Sequence, residues 1–400
     1  MIIDFTDCPD GYRDYGGSDS KRSIEYEDNK YMLKLPEHQE KKNDLQTSHV
    51  NNVLSEYLGS RIMASLGLDV HETILGLYHG QPAVACKDFA VGGYRLQEFS
   101  WMMRSLYDKS QVGRIPTYRQ IYDVMDRHPL LQGIKEQSIN RYWETFVGDA
   151  LIGNFDRHKG NWGYLVNEQT RDVRLAPVYD CGSCLYPGLS EDAMKKVLGS
   201  HEEILRRMYE FPKAALDAGG PGKRENKIRY FEMLASGKDM NCTFAFQRIY
   251  QNIDMGKIEG IIQDAPFMSD MRIEFYTSML RCRKELILDR AYEQILEQSL
   301  DRVNMRANGD LTVMEFSGPV PAAIVDSIRP GQQALMVSEF GESYFAGEPE
   351  ICERLSAGFG GTMAAQGRLG IWHISQCGAE TMERIESLSA YMVKELDLER

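Results

Sequence analysis

The stretch "GNFDRHKGNWGYL", residues 153–165, decides how the rest of the chain reads. Asp156, Arg157, His158, Lys159 and Asn161 crowd into one short run punctuated by Gly153, Gly160 and Gly163. Upstream, "SINRYWETFVGDALIGN" (138–154) sets Ile139, Tyr142, Trp143, Phe146, Val147, Ala150 and Leu151 at helical spacing, which predicts a core helix stopping at Gly153. Downstream, "NWGYLVN" and "DVRLAPVYD" read as two short strands joined by the turn "EQTR", the second ending at Asp180. The charged run is therefore a sharp loop between a buried helix and a hairpin.

A carboxylate, an amide oxygen five residues later and a second carboxylate after the hairpin can converge on one point. Oxygen donors of this kind suit Mg²⁺, which takes one or two protein carboxylates and completes its shell with phosphate and water. Asn161 and Asp180 are thus read as metal ligands, and Asp156 is left to orient a hydroxyl nucleophile. That layout is one of phosphoryl transfer, where the protein positions groups and neutralises charge. His158 is placed among the nucleotide-site residues, its ring expected to bond backbone or the Asp180 region and so hold the loop. Arg157 and Lys159 read as exposed loop cations, with contact to substrate or phosphate as the alternative.

The first hundred residues offer the remaining parts. "GGSDSK" (16–21) is a turn of small residues whose backbone N–H groups can approach phosphate, which makes Gly17, Ser18, Asp19, Ser20 and Lys21 candidate nucleotide contacts. "NKYMLKLP" alternates, with Tyr31, Leu33 and Leu35 on one face and Met32 and Lys34 on the other. Lys34 is a point charge suited to phosphate. The segment 47–68 is a helix, capped at Thr47 or Ser48, whose Glu56 can orient that lysine. Two strands come next, near 72–79 and 82–90, joined by "HGQP", while residues 1–15 read as irregular. Taken singly, a glycine turn is usually a hairpin and a strand lysine a solvated face. In sequence, they match the working order of a two-lobed kinase.

Composition is that of a folded globular protein, with 42% hydrophobic and 26% charged residues in 400. A net charge of −13 argues against nucleic acid or an anionic membrane as the main partner. No stretch reaches the length of a membrane span, and the N-terminus has no signal core. Eight cysteines scattered through such a chain read as reduced thiols in a cytosol. The pair in "CGSC", Cys181 and Cys184, lacks the second pair that a zinc site wants and reads as small residues in a tight turn, with a redox pair as the alternative. Past residue 300, "GDLTVMEF", "QQALMVSEF" and "GRLGIWHIS" look like strands and "PAAIVDSI", "EPEICERLSAG" and "AETMERIESLSAYMVKEL" like helices. The expected organisation is a β-rich lobe over 1–100, a mainly helical lobe over 101–300 and a small α+β domain over 301–400, an α+β protein throughout.

The loop D-x-H-x-x-N of "GNFDRHKGNWGYL", with "LAPVYD" and "YMLKLP", resembles the HipA-like serine/threonine kinases, a branch of the kinase fold that also has likeness to the phosphoinositide-kinase group. The resemblance covers about residues 10–300 and is nearer the shorter CtkA-type members, since only about 15 residues precede the phosphate loop. It implies ATP and Mg²⁺ as cofactors, Asp156 as the catalytic aspartate, Asn161 and Asp180 on the metal and Lys34 on the α/β-phosphates. It also implies a protein substrate with Ser or Thr hydroxyls and an antitoxin or regulatory partner. Ser18, Ser20 and Ser23 are placed in the nucleotide loop, and autophosphorylation at Ser18 or Ser20 would add roughly −2 charge beside ATP and inhibit the enzyme. "CKDFAV" (86–91) is placed as the hinge along adenine, with Lys87 and Phe89 at the nucleotide and Tyr94 and Phe99 as further slot aromatics; strand packing is the alternative. Rival functions are a lipid or small-molecule kinase on the same fold, or a pseudokinase scaffold.

Overall fold

The structure is a computed structural model describing residues 2–11, 21–36, 53–108, 113, 115–219, 226–300, 303–338, 341–366, 369–374 and 377–399. Met1–Leu234 with Arg248–Arg290 form one compact unit, and Ala235–Gln247 with Ala291–Arg400 a second.

The first unit begins with a five-stranded sheet in the order β1-β4-β5-β3-β2. Its strands are β1 (Ile3–Asp4), β2 (Lys21–Tyr26), β3 (Asn29–Lys34), β4 (Thr73–Tyr78) and β5 (Gln81–Lys87). The N-terminal residues expected to be irregular supply β1, which pairs parallel to β4. A two-residue strand carries no periodicity, so alternation could not have found it. β2 and β3 turn back at Glu27 and Asp28, both left-handed at φ 46° and 60°. Two positive φ values make the tight turn whose twist suits a hairpin, here built without glycine. Period-2 alternation covers both faces of the sheet. Ile24, Tyr31, Leu33, Ala83 and Ala85 join Phe5 on one side. Met32, Leu75, Val84 and Cys86 meet Val53 and Leu54 of helix α1 (Val53–Ser65) on the other. The expected helix over 47–68 is described only from residue 53, so its proposed caps Thr47 and Ser48 lie outside the described residues.

Next come β6 (Tyr94–Glu98), α2 (Phe99–Leu106), α3 (Tyr118–Arg127) and α4 (Lys135–Ile152). β6 pairs with β7 (Gly163–Asn167), which pairs with β8 (Val173–Leu175). Gly163 is compulsory there: a Cβ would stand 2.2 Å from the Gln97 carbonyl oxygen. The rest of this unit is mainly helical. The single helix expected over 190–210 is two, Glu191–Leu198 and His201–Tyr209. Ser200 breaks it by capping the second helix through the Glu203 N–H.

The second unit carries a six-stranded sheet, β13-β14-β12-β11-β10-β9. Its strands are β9 (Asn304–Asn308), β10 (Leu311–Phe316), β11 (Gln333–Ser338), β12 (Ser343–Gly347), β13 (Thr362–Gln366) and β14 (Leu369–Ile374). Helices Pro349–Phe359 and Ala379–Glu399 cover one face, setting Ile351, Leu355, Ile385 and Met392 against Leu311, Val313, Phe345 and Trp372 of the strands.

Candidate active site

Helix α4 stops at Gly153, whose φ of 68° is the left-handed cap. The loop beyond it is held from beneath by Asp149, one turn earlier on α4. Arg157 grips Asp149 as a fork, Nε to Oδ2 at 3.0 Å and Nη2 to Oδ1 at 3.1 Å. Asn154 donates its amide to the same carboxylate at 2.9 Å. The third arm, Arg157 Nη1, donates to the carbonyls of Asn161 at 3.1 Å and Asp180 at 3.4 Å, and also to that of Tyr179. One guanidinium thus ties the end of the loop to the end of "LAPVYD". Burial works against its charge, but the Asp149 carboxylate holds Arg157 above its ordinary value. The expectation of an exposed loop cation is wrong for Arg157, which is buried. Lys159 donates to the Gly113 carbonyl at 2.7 Å, so it too is engaged locally. The readable signal was Asp149 itself, an acid set among the apolar residues of "FVGDALIG". A buried acid needs a buried cation.

The loop's own bonds set its functional groups. The Asn161 side-chain amide donates to the Asp156 carbonyl at 2.8 Å, which leaves Oδ1 as the other end of that amide. His158 Nδ1 accepts the Gly160 N–H at 3.0 Å, so the ring braces the turn. A Cβ on Gly160 would lie 3.0 Å from that ring. Asp156 is half-buried at the start of the loop, its N–H bonded to Asn154 Oδ1.

Past β8 the chain runs beside residues 69–71, with Val178 N–H on the Asp69 carbonyl and His71 N–H on the Val178 carbonyl. This path delivers Asp180 to α1. Lys34 Nζ from β3 lies 2.8 Å from Glu56 Oε2 and 2.9 Å from Asp180 Oδ1. Glu56 Oε1 accepts the Cys181 N–H at 3.2 Å and lies 3.0 Å from His71 Nε2. Lys34 and Glu56 are sealed, but the Asp180 side chain keeps 33% exposure. Asp180 is also a non-glycine residue at φ 57°, a conformation retained where surroundings over-determine it. Burial pushes the Glu56 and Asp180 carboxyls up, but the Lys34 ammonium wins and holds both below the usual range. Burial likewise opposes the charge on Lys34, and its two carboxylates raise it well above an ordinary lysine.

These groups border a cavity of about 400 Å³ whose lining includes Lys21, Lys34, Lys87, Phe89, Asn161 and Asp180. Phe89 packs its ring 5.6 Å from Tyr179, and Lys87 pairs with Glu72 at 3.0 Å. Tyr94 and Phe99 point elsewhere: Tyr94 bonds Asp172, and Phe99 stacks on Trp162 at 4.0 Å. Ser23, expected in the phosphate loop, sits buried within β2. Gly17, Ser18, Asp19 and Ser20 lie outside the described residues, while Lys21 opens β2 at the cavity wall. Cys181 and Cys184 are free and buried, packed where a Cβ on Gly59 would touch both at 2.7 and 2.8 Å. Two lining groups carry no signal in the sequence, His71 and Glu98; neither belongs to a motif.

Known proteins resemble this chain in sequence and fold. The HipA-like C-terminal domain family matches residues 14–236. The serine/threonine-protein kinase CtkA of Helicobacter pylori (strain J99 / ATCC 700824) is 35% identical over 308 residues, which is 76% of this chain and 92% of that protein. The crystal structure of a Helicobacter pylori proinflammatory kinase CtkA shares its mixed α+β fold, with TM-score 0.66 at 35% identity over 74% of this chain and 98% of that one. A toxin–antitoxin HipA of Shewanella oneidensis MR-1, solved with HipB and operator DNA, reaches only TM-score 0.44 at 14% identity, over 71% of this chain and 68% of that one. Among the described residues, no helix is long and apolar enough to cross a membrane.

Proposed function

Since the chain belongs to the HipA-like C-terminal domain family and is an enzyme, a serine/threonine-protein kinase, we propose that it transfers the γ-phosphoryl group of ATP to serine or threonine hydroxyls of a protein, with Mg²⁺, at the cavity between Lys34 and Asn161. In this reading the five-stranded sheet with α1 is the small lobe of a two-lobed kinase and the helical region after residue 100 the large one. The observation that carries it is Lys34 Nζ set 2.8 Å from Glu56 and 2.9 Å from Asp180. One buried and one partly exposed carboxylate on the same lysine fix its head at the cavity wall, where an exposed strand lysine would wander.

The donor set fits a hard divalent ion: the Asp180 carboxylate is partly open, and the Asn161 amide is turned so that its N–H end is already used. When bound, Mg²⁺ supplies charge neutralisation and Lewis acidity at the phosphates. The chain's residues do the rest. Asn161 and Asp180 would hold the ion. Lys34 contacts the α/β-phosphates and Glu56 keeps it aimed. Asp156 takes the hydroxyl proton of the substrate. Phe89 lies along the base, with Lys87 in the same hinge segment, Gly17, Ser18, Asp19, Ser20 and Lys21 contact phosphate, and His158 keeps the loop in shape. Arg157 positions Asn161 and Asp180 through their carbonyls and touches no reactant.

The same reading places the enzyme in the cytosol of a bacterium, able to phosphorylate its own Ser18 or Ser20 and answering to an antitoxin or other regulatory partner. The test is transfer of labelled phosphate from ATP to the protein and to a lysate, comparing wild type with Asp156→Ala and Asp180→Ala. Transfer lost in both supports the reading. ATP binding without transfer in the wild type would make the chain a scaffold, and transfer to lipid alone would make it a lipid kinase.

A further inference from the structure

One cluster at the cavity wall has no part in phosphoryl transfer as a set. Glu56 of α1, His71 ahead of β4 and Cys86 of β5 place one carboxylate oxygen, one imidazole nitrogen and one thiol sulfur within 4.8 Å of one another. All three are buried, and His71 and Cys86 line the same cavity as Lys34. His71 faces Glu56 through Nε2 at 3.0 Å, and the Ser60 hydroxyl lies at the same distance from that nitrogen. Two donors stand on helix and strand, and the third, His71, sits in the connection ahead of β4 with its N–H fixed on the Val178 carbonyl at 3.0 Å, so the three make a preformed half-cage.

We infer that Glu56, His71 and Cys86 form an inhibitory site for a thiophilic divalent cation of the zinc class, distinct from the oxygen site at Asn161 and Asp180. The donor chemistry selects the ion. A mixed S, N and O set suits Zn²⁺, whereas Mg²⁺ takes oxygen alone. Zinc bonds of about 2.0 Å to N and O and about 2.3 Å to S put tetrahedral donors roughly 3–4 Å apart, within reach of the observed spacing. The cavity supplies an entry path and a fourth position for water. On binding, Cys86 loses its thiol proton to solvent, His71 binds through its neutral ring, and the Ser60 hydroxyl is displaced from Nε2.

The consequence comes from Glu56, which serves both partners. A dication on its carboxylate takes the charge that steadies Lys34 and repels the ammonium 2.8 Å away. Lys34 then leaves the position in which it meets phosphate. This inhibition rests on the role proposed for Lys34, whereas occupancy of the site does not.

Cobalt is the probe, because Co²⁺ takes zinc sites and a thiolate bond gives it a charge-transfer absorption. The full chain titrated with Co²⁺ is expected to show that band saturating at one equivalent and bleaching on addition of Zn²⁺. Cys86→Ala is expected to lose the band, Cys181→Ala to keep it, and His71→Gln to bind more weakly, each with its circular dichroism and melting curve taken alongside to confirm folding. No band in the wild type, or a band that survives Cys86→Ala or vanishes in Cys181→Ala, overturns the site. Calorimetry of Mg-ATP with and without Zn²⁺ tests the consequence: nucleotide binding falls with zinc in the wild type and not in Cys86→Ala. A cobalt band with nucleotide binding untouched by zinc overturns the inhibition, and the fault then lies with the role given to Lys34.

Discussion

The Asp149–Arg157 pair and the Lys34–Glu56–Asp180 cluster are both buried ion pairs, yet they differ in how closed they are. In the first, both side chains are shut off, Arg157 at 7% and Asp149 at 1% exposure, and every arm of the guanidinium is spent on Asp149, on backbone carbonyls or on the Cys181 sulfur. In the second, Lys34 and Glu56 are closed but Asp180 is a third exposed, so one corner is open to a ligand. Burial alone therefore does not mark a reactive group. A fully satisfied pair holds geometry, and a pair with one open corner can exchange partners. Breaking the former should cost stability, and breaking the latter should cost function.

The closed pair should give the greatest loss. Arg157→Ala or Asp149→Ala leaves its partner buried and charged without its counter-ion, which costs about 3–5 kcal/mol in urea unfolding. The double variant should lose clearly less than the sum of the two, because each single change strands the same interaction. Additive losses would show that the two residues act separately. For the open corner the prediction is inverted: Asp156→Asn and Asp180→Asn should lower phosphate transfer by about 10²–10³-fold or more while costing less in unfolding than either change to the closed pair. Calorimetry separates their roles, since Asp180→Asn should remove metal-dependent ATP binding more than Asp156→Asn does. Equal losses would count against Asp180 as the metal ligand.

A smaller effect concerns pH. Glu56 and Asp180 are held below their ordinary values of 4.5 and 3.8, burial notwithstanding, by the Lys34 ammonium. Carboxyls lowered by folding add stability above their unfolded values and lose it as pH falls through the folded ones. Stability contributed by this cluster should therefore be full at neutrality and drain away below about pH 4.5. Lys34, raised well above 10.5, contributes fully below that ordinary value and loses its contribution as the pH climbs from there through the raised one. Glu56→Gln should flatten the acid limb of stability against pH, and an unchanged limb would deny Glu56 that role. The last effect is local: Gly153→Ala places a side chain at φ 68° and should cost roughly 1–2 kcal/mol in the same unfolding measurement.

Much of the cavity wall was legible because its residues fall in motifs with fixed order. The D-x-H-x-x-N loop, the aspartate closing a hairpin and the alternation around Lys34 are local patterns, and the structure brings Lys34, Asn161 and Asp180 to one cavity, with Glu56 buried behind Lys34. Arg157 was misread because a loop arginine is exposed by default, and only its tertiary partner Asp149 makes burial tolerable. β1, β6, β9, β12 and β13 were missed for another reason. Four of them are sheet edges whose pairing comes from other strands, such as β6 with β7, and no local alternation announces that; β12 lies inside its sheet, between β11 and β14. His71 escaped because a lone histidine between elements carries no spacing; its meaning comes from Glu56 and Cys86, each on a separate element.

The decisive experiment is a crystal of the protein grown with Mn²⁺ and a non-hydrolysable ATP analogue, with the manganese located by its anomalous scattering. Phosphoryl transfer at this cavity requires an anomalous peak bound by Asn161 Oδ1 and the Asp180 carboxylate, with Lys34 Nζ on the α/β-phosphates. A metal held elsewhere, or triphosphate bound away from Lys34, would contradict it.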